Sequence, residues 1–166
     1  MNNTATPTLK CRLAGMLYES MLVFAVLLIA GWVLSVLLQQ QHELYRQAIL
    51  FFVIGLYFVW FWTHGGQTLA MKTWHMRLVA RDGGEVKMTQ AIGRYLLAWL
   101  WVLPGLAVAW ALGAKNGALV WIPAANILIW SLTIYLDPQR QFLHDRIAGT
   151  RLISIRKAPK EPRRGK

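Results

Sequence analysis

Residues 21–38 read MLVFAVLLIAGWVLSVLL, and within them only Ser35 is polar. As an α-helix this run is ~27 Å long, close to the ~30 Å hydrocarbon thickness of a bilayer. An uncharged run of that length reads as a membrane span. The helix is expected to begin earlier, near Leu13, which leaves Arg12 and Glu19 at the inner interface. Outward from it, a polar link (39–47) leads to a second apolar run at 48–62. That run is short, but it extends back through Leu44 and Tyr45 because Arg46 can snorkel to the surface. Two more apolar runs follow, joined by a tight turn at 113–117, so they form an antiparallel helical hairpin. The expected spans are residues 17–38, 44–62, 95–112 and 118–136.

The composition agrees. The 166 residues are 56% hydrophobic, only 15% charged, and have a mean hydropathy of +0.38. Charges vacate the four apolar runs and crowd between them. The net charge of +11 would suggest nucleic acid in a soluble protein. Beside apolar spans it points to anionic lipid at the cytoplasmic leaflet, and no nucleic-acid partner is expected. Of the eighteen Lys and Arg, only Arg46 and Lys115 lie in the two short links. The other basic residues flank the N-terminus, fill residues 63–94 and load the tail. The positive-inside rule therefore puts both termini on the cytoplasmic side. The single Cys11 excludes an internal disulfide and reads as a small apolar residue.

The fold class expected is an all-α membrane protein: a four-helix transmembrane bundle with a small cytoplasmic β-layer and an interfacial helix. In the β-layer, residues 75–80 and 85–88 read as a hairpin closed by Asp82-Gly83-Gly84. Thr89 reads as the N-cap of the helix into span three. Residues 65–68, Gly-Gly-Gln-Thr, lack the Lys and spacing of a phosphate loop and read as a flexible exit into the interfacial helix. Asp137-Pro138 reads as a helix start, Gly149 as its C-terminal glycine, and residues 150–156 as a third strand. Residues 10–156 form one domain. The Pro- and Lys/Arg-rich stretch 157–166 reads as a disordered basic tail.

Three segments together resemble the RDD family of small bacterial membrane proteins. They are Arg12-Leu13-Ala14 with Glu19 seven residues after Arg12; Gly65-Gly66-Gln67-Thr68-Leu69-Ala70-Met71-Lys72 leading into Arg77-Leu78-Val79; and Asp137-Pro138 with Leu143-His144-Asp145-Arg146 and Ala148-Gly149-Thr150. The likeness runs over about residues 12–153. The family is named for one Arg and two Asp. The resemblance puts Arg12 at the Arg and Asp145 at the second Asp, while Glu19 stands where the first Asp is expected, with a reach one methylene longer. It implies a bacterial inner-membrane protein. Because some members are linked to cation/proton exchange, it also implies a transport role.

The residues themselves leave two readings open. Arg12 and Glu19 share a helix face two turns apart, too far for direct pairing, so each should meet a partner elsewhere, with Arg94 and Asp145 the obvious candidates. This set is either a structural ion network or an ion site at the inner mouth. Asn126 and Thr133 share a face of span four and are either interhelical glue or part of a polar path. Pro104 and Pro123 free the carbonyls of Leu100 and Leu119. Gly105, Ala109 and Gly113 form a small-residue stripe for a close helix neighbour. Among the four histidines no pair has metal-ligand spacing. His144 could titrate near neutrality, but as a helix neighbour of Asp145 it should point away from it. Trp60, Trp62, Trp74, Trp99 and Trp110 fit an interfacial belt. No catalytic set, metal site or cofactor is expected. The function classes left are a small transporter, working as a homo-oligomer because four helices enclose little space, and a non-enzymatic scaffold whose basic face binds lipid or protein.

Overall fold

The computed structural model describes residues 6–37, 43–138 and 141–155. The 157–166 tail and part of the link after the first span lie outside the described residues. Four helices are long and apolar enough to cross a membrane: Leu9–Leu37, Leu44–Thr63, Met88–Ala111 and Ala118–Tyr135. The first is one unbroken helix, α1 (Leu9–Leu37), and the second is α2 (Glu43–Thr63). Large apolar side chains such as Phe24, Ile29 and Trp32 stand exposed on α1. In water such a surface would be costly, whereas in hydrocarbon it is ordinary.

The third span is broken. It runs as α4 (Met88–Ala98), a 3-10 turn at Trp99–Trp101, and α5 (Leu103–Ala111). The break sits just before Pro104, whose ring cannot share space with the preceding turn. The fourth span is α6 (Ala118–Leu132), closed by a 3-10 turn at Thr133–Leu136. Helices α5 and α6 pack as the expected antiparallel hairpin. Its turn uses positive φ at Gly113 and Asn116. Of the small-residue stripe, Gly105 lies against α6, where a Cβ would be 2.8 Å from Pro123 Cα and 2.9 Å from Asn126 Cβ, whereas a Cβ on Gly113, in the turn, would meet nothing within 4 Å.

At one end of these helices sits a small packed layer. It holds α3 (Leu69–Thr73), β1 (Met76–Ala80), α7 (Leu143–Ile147) and β2 (Thr150–Ser154). Strands β1 and β2 pair antiparallel, with Leu78 opposite Leu152. The main core lies here, where Trp62, Met71, Met76, Leu78, Val86, Ala91, Tyr95 and Leu152 meet. The short helix expected after Thr68 is present as α3.

The expected three-stranded layer is a correction. The turn at Asp82-Gly83-Gly84 forms, with Gly83 at φ +91 and the Asp82 carboxylate accepting the Gly84 N–H at 2.9 Å. Residues 85–88 nevertheless do not return as a strand. Both edges of β1 are already used. One bonds β2. On the other, Leu78 N–H donates to Gly66 O at 2.7 Å, Gln67 Nε2 donates to Met76 O at 2.7 Å, and Ala80 N–H donates to Gly84 O at 3.0 Å. A strand has only two edges, so no place remains for a hairpin partner.

Two helix starts also differ from expectation. Helix α4 begins after Lys87, not Thr89, and Gln90 Oε1 accepts the Lys87 N–H at 3.0 Å. Helix α7 begins after Phe142, not at Asp137-Pro138. Asp137 instead accepts the Gln141 N–H at 2.9 Å and ion-pairs with Arg146 at 3.6 Å. Gly149, at φ +67, does end α7.

Gly105→Ala is expected to lower stability in detergent by about 1–3 kcal/mol, because the methyl meets backbone that cannot yield. Gly31→Ala, which meets nothing within 4 Å, should cost nothing measurable. Thermal unfolding of the two variants checks this, and equal melting temperatures would contradict the close α5–α6 approach.

Candidate functional site

The charged residues singled out from sequence separate into two groups. The first is a buried cluster where α1, α4 and α7 converge. Arg94 of α4 forms an ion pair with Asp145 of α7, and both side chains are buried. The Arg94 guanidinium lies 4.8 Å from the centre of the Trp62 ring, which gives its other face a π-surface. Trp62 is thus buried beneath a cation and does not belong to an interfacial belt. Trp60 and Trp110, by contrast, stand exposed.

His144 comes to the same carboxylate. Its Nε2 lies 3.3 Å from Asp145 Oδ1, although adjacent helix residues normally diverge. The reason is on the other side of the ring, where Trp101 Nε1–H donates to His144 Nδ1 at 3.1 Å. With Nδ1 accepting, Nε2 carries the proton and faces Asp145. Stacking on Phe142 holds the ring plane. Burial first, then the positive charges of Arg94 and Arg12, push the His144 pKa well below its usual value of 6.5. The imidazole is therefore a neutral donor.

Arg12 completes this cluster from the first turn of α1. It is 1% exposed, packs over the Phe142 ring at 5.4 Å, and donates from Nη2 to Gln141 Oε1 at 3.3 Å. Gln141 also binds β2, accepting from Leu152 N–H at 3.0 Å and donating to Leu152 O at 3.3 Å. One amide therefore ties Arg12 to the sheet. No sequence signal marked Gln141, because a lone glutamine after a turn has no pattern of its own.

Glu19 forms the second group. It does not meet Arg94 or any other cation among the described residues. Tyr57 of α2 donates its hydroxyl to one carboxylate oxygen at 2.7 Å, and Thr68 donates its hydroxyl to the other. Thr68 is fully buried and also N-caps α3, accepting the Met71 N–H at 3.3 Å. Gly66, Gln67 and Thr68 therefore act in succession: two hold the edge of β1 and the third holds Glu19. Gly66 has φ +72, and any Cβ there would collide with Leu78 O.

A family model described as RDD family matches residues 6–149. The chain belongs to the RDD family. No curated protein and no solved structure matches it. In this RDD chain the Arg at position 12 and the Asp at position 145 meet in one buried cluster, while Glu19 looks toward α2 and α3. Asn126 and Thr133 form no polar path. Asn126 Nδ2 donates to Trp101 O at 2.6 Å and Leu100 O at 3.3 Å, taking up the carbonyls left at the Pro104 break. Thr133 Oγ1 donates back to Trp130 O of its own segment at 2.6 Å. Among the described residues no group of three His, Cys, Asp or Glu could hold a metal.

Removing one partner of a buried ion pair strands the other charge, at a cost of about 3–5 kcal/mol. Arg94→Met or Asp145→Leu alone should lose that much, and the double variant should regain most of it. A double variant as unstable as either single would contradict the pairing. A second expectation concerns pH. Below about pH 6.5 the unfolded imidazole of residue 144 takes up a proton that the folded ring refuses. The unfolded state then binds more protons, so folding stability falls as pH drops through that value. Thermal melts at pH 7.5 and 5.5 should show a loss that is smaller in His144→Gln.

Proposed function

We propose that this RDD protein is a small exchanger of the bacterial cytoplasmic membrane, trading a cation for protons at Glu19. The observation that carries the reading is the setting of that carboxylate. It lies between membrane-length helices, and only two hydroxyls face it among the described residues. A carboxylate drawn from water holds its charge at a cost, which a bound proton or a bound cation removes. The hydroxyl oxygens of Tyr57 and Thr68, with the carboxylate, are hard oxygen ligands of the kind alkali and alkaline-earth cations take. One set of side chains can thus hold either species in turn. The Arg12–Arg94–Asp145–His144 cluster closes the same end of the protein and serves as its fixed frame.

On this reading the chain is not an enzyme, needs no cofactor and binds no nucleic acid. It sits with both termini in the cytoplasm and its basic surface against anionic lipid, in line with the Lys/Arg asymmetry. It works as a homo-oligomer, since four helices enclose little space. A second reading, a non-transporting scaffold, is favoured by the way Gly66, Gln67, Asp145 and Gln141 are all spent on holding the small β-layer to the helices.

Liposomes carrying the full chain and a pH-sensitive dye separate the two. Wild type should release protons when alkali or alkaline-earth cations are supplied, and Glu19→Gln should abolish this while retaining its melting temperature. A wild type silent across that cation panel would favour the scaffold. A folded Glu19→Gln protein with undiminished flux would remove Glu19 from the mechanism.

A further inference from the structure

The chain carries seven Asp and Glu residues. Only Glu19 lies within the four membrane-length helices, and none of the four histidines does. The other deeply buried acid, Asp145, is already matched by Arg94 and by the His144 N–H. Helix α1 packs against α2 and α3. From α2, the Tyr57 hydroxyl reaches Glu19. The ionisable residues Glu43, Tyr45 and Arg46 of that helix lie eleven or more residues before Tyr57, which is ~16 Å or more along the axis. Lys72 of α3 and His64, just past α2, are exposed. On α1 itself, Tyr18 is exposed and Arg12 turns to Gln141. The Glu19 site therefore holds the single negative charge of one carboxylate, and no second charged group shares it among the described residues.

That count limits what the site can exchange. A carboxylate carrying a proton is neutral, and one carrying a monovalent cation is neutral as well. A divalent cation would leave a positive charge unmatched between apolar helices, which is costly; strong divalent sites gather several charged oxygens. We propose that exchange at Glu19 is electroneutral: each turnover moves one monovalent cation against one proton, and membrane voltage does not drive it. The proposal rests on the exchange reading above. In the step itself, the O–H bond of protonated Glu19 breaks and the proton passes to water. The cation then takes its place on the carboxylate oxygens. No electrons change hands, and the net charge of the site stays at zero. The hydroxyls of Tyr57 and Thr68 are neutral in both states, so they tune affinity and leave the count unchanged. They come from the same chain as Glu19, so an oligomer repeats the one-for-one count in every protomer.

The test uses liposomes carrying the full chain, with a pH-sensitive dye inside and an oxonol voltage dye outside. Gluconate salts of sodium, lithium, potassium, calcium and magnesium are added in turn, with protein-free liposomes as the blank. A monovalent salt should move protons while the voltage dye stays at the blank level. Calcium and magnesium should move none. Shunting the voltage with a protonophore-free ionophore, valinomycin in symmetric potassium, should leave the sodium- or lithium-driven rate unchanged. A voltage swing that accompanies the proton movement would overturn the proposal, as would proton release driven by calcium or magnesium, and either result would leave exchange itself standing. Silence of the pH dye with all five salts is a different result, which removes the exchange reading and this proposal with it.

Discussion

The pairing of Arg94 with Asp145 is the contact on which the arrangement of the small β-layer depends. Arg94 belongs to a helix of membrane length, and Asp145 to a short helix near the end of the chain. A five-residue helix has little stability of its own. What fixes α7 is therefore the buried charge it carries and the aromatic rings around it. Trp62 covers one face of Arg94, while Trp101 and Phe142 position His144 against the same carboxylate. Once α7 is fixed, Gly149 turns the chain and β2 follows onto β1.

The second constraint is the finite edge of β1. Its five residues are flanked by β2 on one side and by Gly66, Gln67 and Gly84 on the other. The loop leaving α2 thus behaves as a strand partner without being a strand. This places Thr68 directly against α1, where its hydroxyl reaches Glu19. A backbone accounting problem at the edge of a two-stranded sheet is what brings a side chain from a loop to an acid on a membrane-length helix.

The charges end in two chemical environments. Asp145 is met by a guanidinium and an imidazole N–H, and its charge is compensated where it lies. Glu19 is met by hydroxyls, which hydrogen-bond a carboxylate without cancelling its charge. A compensated carboxylate holds structure together; on the exchange reading, the uncompensated one is where a proton or a cation binds. The Glu19 side chain is one methylene longer than an Asp, and that reach ends on Tyr57 and Thr68.

The sequence by itself determined the four apolar helices, the hairpin of the last two, the short helix after Thr68, the glycine stop at 149 and membership of the RDD family. These follow from local composition: run length, the position of Gly and Pro, and residue types at fixed spacing. Only the tertiary structure decided that residues 85–88 stay out of the sheet, that α7 starts at Leu143, and that His144 turns toward Asp145. It also decided that Glu19 stands apart from Arg94, with Tyr57 and Thr68 as partners instead, and that Trp62 lies under Arg94 and not in a belt. Each of these depends on contacts between residues far apart in the chain. Periodicity reports which face of one element is apolar, but it carries no information on which distant donor reaches a given carboxylate.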